Sequence, residues 1–384
     1  MNSVMELEHP LKGKISLYQL EETEALVILM SMVSLGPIKI RLLATHFGSA
    51  IEALLAPSEY VLPFVGSKAA ALWGKWPTEN SWKNNLLLAA KHQAEIIPFT
   101  SSQYPKRLLE IPDAPVLLYM QGTLLPADRR SIAIVGTRQL SIYGQEMAHR
   151  FAQDLAALGF TIVSGLARGV DTAAHIGALE KGRTIGVIGS GLADIYPAEN
   201  RKLAERMVTQ GAVISEFPMA TPPDRQNFPQ RNRIVSGMTL GTLLIEAPVK
   251  SGAMITMEKG EAQGRPLFAI PGRIDSENFR GNHSLIKQNR AILVESAYEI
   301  ASYYESLFGK MSPLPSQELT KTLTIPLDKE ESLLLESLPN QELSVEQIFL
   351  LTKIPISALN VLLMGLVIKG CLKEFPGKVY MKTR

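Results

Sequence analysis

This 384-residue chain lacks most of the features that announce a function. Its single cysteine, Cys371, excludes an intramolecular disulfide and any CxxC metal site. Such sparing use fits a reducing cytoplasm. The six histidines stand at no ligand spacing and form no HExxH, so no metal is expected. The formal net charge of +2 excludes a nonspecific polycation, and any nucleic-acid surface must be a local cluster. No apolar run is long enough to span a bilayer, so no membrane insertion is expected. The longest near the N-terminus, Ala25 to Leu35, follows Glu21, Glu22 and Glu24 rather than lysines and reads as a buried helix. GxxxxGK[ST] is absent, which argues against a P-loop ATPase. GxGxxG is absent too, and no acidic residue ends the second strand pattern to hold a ribose, which argues against dinucleotide binding. No GxSxG elbow surrounds a serine. A catalytic cofactor is therefore not expected.

What is present is a globular composition, 46% hydrophobic and 20% charged, long enough for two or three domains. Residues 1–99 read as helical. SLGPIKIRLLATHFGS and LPFVGSKAAALW each place a glycine turn before a helix. That is the form of a helix-hairpin-helix or SAM-like unit, whose turn amides can receive phosphate. A small helical bundle with glycine caps fits the same pattern. From 102 to 307, short apolar runs alternate with helical periodicity. IAIV, FTIVS, TIGVIG, AVISE, TLLIEA, PLFAIPG and AILVE are the strand candidates. Strands that alternate with helices predict an α/β fold with a doubly wound parallel sheet, and unbroken apolar runs suit strands buried on both faces. Residues 309–324 read as a linker rich in Pro, Ser and Thr. Residues 325–384 read as three helices and two short strands, a winged-helix pattern.

In such a sheet, ligands bind beyond the carboxyl ends of the strands. There the chain places GTRQLSIYG, SGLARGVD, GSGLADIYP and PVKSGAM. Glycine and serine recur in these turns, and Arg138, Arg168 and Lys250 add positive charge. Helix-terminal amides with Arg and Lys make an anion site, and phosphate is the expected anion. In FPQRNRIVSG, Arg231 and Arg233 open a helix upstream of TLLIEA. If that helix runs antiparallel to the strand, Arg138, Arg231, Arg233 and Lys250 converge on one edge. Either arginine could instead pair with Glu216 or Glu246. Tyr143, Tyr196 and Phe228 stand in the surrounding loops as stacking platforms or core anchors.

Taken together, GTRQLSIYG, SGLARGVDTAAHIGAL, GSGLADIYPAEN, ISEFP, FPQRNRIVSG, IEAPVKSGAMIT and FAIPG resemble the DNA-processing protein A family (DprA, also called Smf). YPKRLLEIPDAPVLLYMQG resembles its approach to the first strand. The resemblance runs from about Tyr104 to Val294. It implies an extended Rossmann-like domain in a cytoplasmic, self-associating protein, a homodimer, with no catalytic residue. Such a protein binds single-stranded DNA, protects incoming strands and helps load a RecA-type recombinase during natural transformation. By motif position, Gly136, Thr137, Arg138, Ser164, Gly165, Arg231, Asn232, Arg233, Lys250, Ser251 and Gly252 would line the phosphate pocket. Gly-Thr-Arg stands where Gly-Ser-Arg is usual, and the hydroxyl survives. Asn289-Arg290 stands where a glycine is common. The alternative is a nucleotide-binding enzyme similar to the cytokinin-activating phosphoribohydrolases, with Glu258 as its acid, although their double glycine is missing.

The last region differs in charge. Residues 322–384 carry seven Lys plus Arg and seven Asp plus Glu, and Ile354 to Gly370 carries only Lys369. A duplex reader presents an excess of cations on its recognition helix. Protein contact, rather than DNA contact, is expected of this region.

Overall fold

The computed structural model describes residues 6–309 except 33, and 328–382 except 340, 342, 370 and 376. Two compact units emerge, Met1–Leu314 and Pro315–Arg384. The expected linker, Gly309 apart, falls outside the described residues up to 324.

The first unit opens with a hairpin, β1 (Glu6–His9) and β2 (Gly13–Ser16), followed by six helices ending at Lys91. The run from Ala25 is a buried helix for only part of its expected length: the helix is Glu22–Ser31, buried from Glu24 to Leu29, and the backbone is extended at Met32. Both glycine turns precede helices: Gly36 caps Pro37–Phe47, with proline at the first turn, and Gly66 caps Ser67–Ala70. Leu26, Leu29, Ile40, Leu43, Trp73 and Trp82 form the core here. Val116 and Leu117 join that core from the edge of the sheet, which is why helices and sheet form one compact body.

The sheet has nine strands: β3 (Glu95–Pro98), β4 (Leu117–Gly122), β5 (Ser131–Val135), β6 (Thr161–Ser164), β7 (Thr184–Val187), β8 (Ala212–Ser215), β9 (Gly241–Leu244), β10 (Leu267–Ala269) and β11 (Ile292–Leu293). Their order is β11-β10-β9-β5-β6-β7-β8-β4-β3. The seven strands from β11 to β8 are parallel; β4 and β3 add antiparallel at one edge. The sheet thus begins at Glu95, upstream of the expected start at 102. β5 shows why the apolar runs are continuous. Ala133 and Val135 enter one core, Ile132 and Ile134 the opposite one, and all four are buried. Each large aliphatic side chain so buried contributes about 1.5–3 kcal/mol.

Chain order reverses beside β5: β6 follows on one side, while β9 packs on the other. The loops after β5 and β9 therefore part and leave a crevice at the carboxyl edge, where doubly wound sheets bind ligands.

The second unit has helices Lys329–Ser337, Val345–Thr352 and Ile356–Ile368 and a three-stranded antiparallel sheet. Its strands are β12 (Leu343–Ser344), β13 (Leu372–Phe375) and β14 (Val379–Lys382), in the order β12-β14-β13. Leu334, Ile348, Leu359, Leu363 and Tyr380 pack between helices and sheet. The β13–β14 hairpin is the wing of the expected winged helix. Among the described residues no single helix is long and apolar enough to cross a membrane.

Candidate nucleic-acid interface

The crevice is a groove of about 670 Å³. The turn after β5 supplies Gly136, Thr137, Arg138 and Gln139, and the turn after β6 supplies Ala167 and Asp171. The loop after β9 supplies Lys250, Ser251 and Gly252, and helix Asn227–Gly237 supplies Phe228, Arg231 and Asn232. Arg225 stands on the approach to that helix. A smaller cavity of about 20 Å³ adjoins the groove, lined by Arg138, Gly165, Ala167, Arg168, Tyr196, Pro197, Phe228 and Arg231.

Local chemistry fixes each wall. Ser141 caps helix Ile142–Ala157, its Oγ accepting from Gly144 N at 3.0 Å. Glu246, fully buried at the end of β9, accepts from Ser141 N (3.1 Å), Ser141 Oγ (2.8 Å) and Asn278 Nδ2 (2.9 Å). Its carbonyl accepts from Thr137 N at 2.7 Å. One glutamate therefore ties the Arg138 turn to the end of β9. Ser251 caps helix Gly252–Ala262, accepting from Met254 N. Asn232 Nδ2 donates to Gly252 O at 3.2 Å and holds the Lys250 loop to the Arg231 helix.

The turn after β6 is shaped by Asp171. Its Oδ2 accepts from Gly165 N (3.1 Å) and Ala167 N (3.2 Å). To present both amides, Leu166 adopts a left-handed φ of 56° with its side chain fully buried. That conformation is costly for a residue other than glycine, and local packing holds it. Gly169 (φ 81°) lets the turn press on its neighbour, because a Cβ there would collide with Thr137 O and the Arg138 backbone. Gly165 is needed for another reason: a Cβ would overlap Arg231 Nη1.

Arg231 is the unusual group. It is only 5% exposed, its Nε has no partner, and among the described residues its guanidinium makes no hydrogen bond or ion pair. Burial lowers its pKa to about 10, still charged at neutral pH, with Asp171 opposing the fall and Arg138 adding to it. The same burial raises Asp171, while Arg231 and the amide donors pull it back. The guanidiniums of Arg138 and Arg231 stand 5.1 Å and 6.0 Å from the Phe228 ring centroid. Arg138, Arg225 and Lys250 likewise make no ion pair among the described residues. Four cations thus face one concavity with no carboxylate bonded to any of them.

Residues 95–305 match the family model of DNA recombination-mediator protein A. The chain belongs to this family. It is 44% identical to protein Smf of Escherichia coli over 207 residues, 53% of this chain and 55% of that protein. The chain therefore spans about half the length of that relative. The crystal structure of DprA from Streptococcus pneumoniae superposes with a TM-score of 0.64 at 32% identity, over 74% of this chain and 98% of that one. A structure of the Helicobacter pylori protein, described as revealing its unique single-stranded DNA binding mode, superposes with a TM-score of 0.51 at 27% identity, over 58% and 99%.

Two residues expected in the DprA-type pocket are absent from its lining. Arg233 lies two positions after Arg231, so the helix carries its side chain to another side. There it bonds to Glu216 and stands 3.4 Å from Asp113. Burial raises the Glu216 pKa and Arg233 lowers it. The pairing of one arginine with Glu216, the competing expectation, holds for Arg233 alone. Ser164 ends β6 fully buried, its Oγ donating to Ile134 O at 2.6 Å. The sequence reading also missed Arg225, Gln139 and Asp171. Arg225 sits in a loop without periodicity, and Asp171 reads as an ordinary first-turn acid. Glu258 is exposed and outside the groove lining. His175 is a buried packing residue, held neutral by burial with its pKa near 3, its Nδ1 2.6 Å from Thr184 Oγ1.

Proposed function

We propose that the groove binds single-stranded DNA by its phosphate backbone, as a binding protein rather than a catalyst. Arg231 carries this reading. A buried charge without a partner costs several kcal/mol, and an entering phosphate offsets that cost with charge-assisted hydrogen bonds. Arg138, Arg225 and Lys250, none of them ion-paired among the described residues, extend the same demand along the groove. A flexible strand can follow a concave path between loops, while a stiff duplex reaches it poorly. Tyr196, exposed at the rim, and Phe228, beside two guanidiniums, suit base stacking. Phosphate contacts carry no base information, so sequence preference is weak. The binding mode named for the Helicobacter pylori relative supports this assignment.

On this reading the protein acts in recombination, protecting incoming strands and helping to load a RecA-type recombinase during natural transformation, within the cytoplasm. It works as a homodimer. The edge strand β11 exposes Ile292 and Leu293 beside exposed Tyr303 and Leu307, and an open apolar edge favours pairing. The C-terminal unit contacts protein. Lys369, just after its third helix, is bonded to Glu331, and the helix exposes Val361 and Met364.

Titrating the protein with oligo(dT) and with a duplex of equal length tests the assignment. Single-strand binding should be the tighter by at least about tenfold, 1.4 kcal/mol. Equal affinity, or a preference for duplex, would overturn it.

A further inference from the structure

The small cavity and the groove share Arg138, Ala167, Phe228 and Arg231, so the two adjoin. Arg225 and Lys250 line the groove, and Arg168 and Tyr196 line the small cavity. The cations of the two differ in one respect. Arg168 is paired: its Nε and Nη2 donate to the two carboxylate oxygens of Glu199, the latter at 2.8 Å.

The backbone that carries Glu199 is held in place. The turn Ala198–Asn200 carries Glu199. Asn200 rivets that turn to the loop after β6, its Nδ2 donating to Leu166 O and Thr172 Oγ1, both at 2.9 Å. The Arg168 side chain is 58% exposed and that of Glu199 52%. A carboxylate presents two oxygens to a guanidinium much as a phosphate does. We infer that Arg168 and Glu199 form a replaceable latch, in which Glu199 stands in for a backbone phosphate until an entering strand takes Arg168 over.

The inference rests on the strand-binding reading and adds a fifth phosphate contact to it. The exchange is feasible because an exposed ion pair is worth only about 0–1 kcal/mol. A phosphate beside the small cavity, on a strand already held in the groove, competes at high local concentration. Glu199 then acts as a selectivity element. Only a strand long enough to reach beyond the groove recruits Arg168.

A double-mutant cycle read by fluorescence anisotropy on labelled oligo(dT) tests the latch. Glu199→Gln should tighten binding about 3-fold, the value of a modest exposed pair. Arg168→Ala should weaken it and make the log–log salt slope shallower by roughly 0.7, one phosphate on a single strand. In the Arg168→Ala background, Glu199→Gln should have no effect. Both positions are exposed, so the variants should melt with the wild type. No gain from Glu199→Gln, or a gain that survives without Arg168, overturns the latch; the second result marks Glu199 as a general negative charge. Arg138→Ala separates this from failure of the underlying reading. If Arg138→Ala abolishes binding while the latch variants are silent, only the latch falls. If it too is silent, the strand-binding reading falls with it.

Discussion

The two ends of the central sheet use the same side chains differently. At the amino end, Arg183 pairs with Asp128 at 3.0 Å, Arg265 with Glu110 at 2.8 Å, and Arg290 with Glu261. At the carboxyl end, Arg138, Arg225, Arg231 and Lys250 have no such partner among the described residues. Carboxylates do stand at the carboxyl end, but each has other donors. Glu246 serves Ser141 and Asn278, Asp171 serves two backbone amides, Glu216 serves Arg233 and Glu199 serves Arg168. Composition is thus a poor guide to where an anion will bind. What matters is which unpartnered cations the fold gathers in one concavity: Arg129 and Arg130, before β5, make no ion pair among the described residues either, but they lie outside the groove lining.

Helix Asn227–Gly237 holds that contrast within one turn, so its two arginines give the largest expected effects. Arg231→Met should cost about 10- to 100-fold in oligo(dT) affinity, the value of hydrogen bonds to a charged group. Its melting temperature should change little, because removal of a buried charge without a hydrogen-bond partner is set against the loss of a cation that offsets buried Asp171. Arg233→Met should do the reverse. Leaving Glu216 buried without its cation should cost about 3–5 kcal/mol of stability in urea melts, while the folded fraction still binds DNA. The deficit should depend on pH. Burial already raises Glu216, and loss of Arg233 raises its folded-state pKa further above the unfolded value. The folded variant then holds the proton more tightly, so the deficit is widest above that raised pKa and shrinks as pH falls through it. Equal effects of the two substitutions on DNA binding would erase the distinction between them.

Gly165→Ala sharpens the comparison without removing any charge. The added methyl displaces the end of a flexible side chain, so the fold should survive while the Arg231 guanidinium shifts and affinity drops about tenfold, 1.4 kcal/mol. Binding unchanged in a well-folded Gly165→Ala protein would show that the Arg231 position does not matter. The smallest effects distinguish the two sheet ends. Arg225→Ala should weaken binding and make the log–log salt slope shallower by roughly 0.7, whereas Arg290→Ala should change neither. A matching loss in Arg290→Ala would place the contact surface at both ends.

Much of this arrangement is legible in the sequence. The continuous apolar runs mark the parallel strands, and the glycine–serine turns after them mark the carboxyl edge. Arg138, Arg231 and Lys250 follow from that placement. The antiparallel edge is harder to read: EIIP is short, and LLYMQG resembles an approach to the first strand rather than a strand beside β8. Separating Arg231 from Arg233 needs three dimensions. Sequence sets them two residues apart, but only packing brings Glu216 to one and Gly165 to the other. The short turn Ala198–Asn200, before the regular helix that begins at Arg201, carries Glu199, and its pairing with Arg168 is likewise a product of packing.

The salt dependence of oligo(dT) binding, measured side by side on wild type and Arg231→Met, tests the central claim most directly. Engagement of about four phosphates on a single strand gives a log–log slope near roughly −3, and loss of Arg231 should make it visibly shallower. A flat response in the wild type, or one slope shared by both proteins, would contradict a phosphate grip built on that buried arginine.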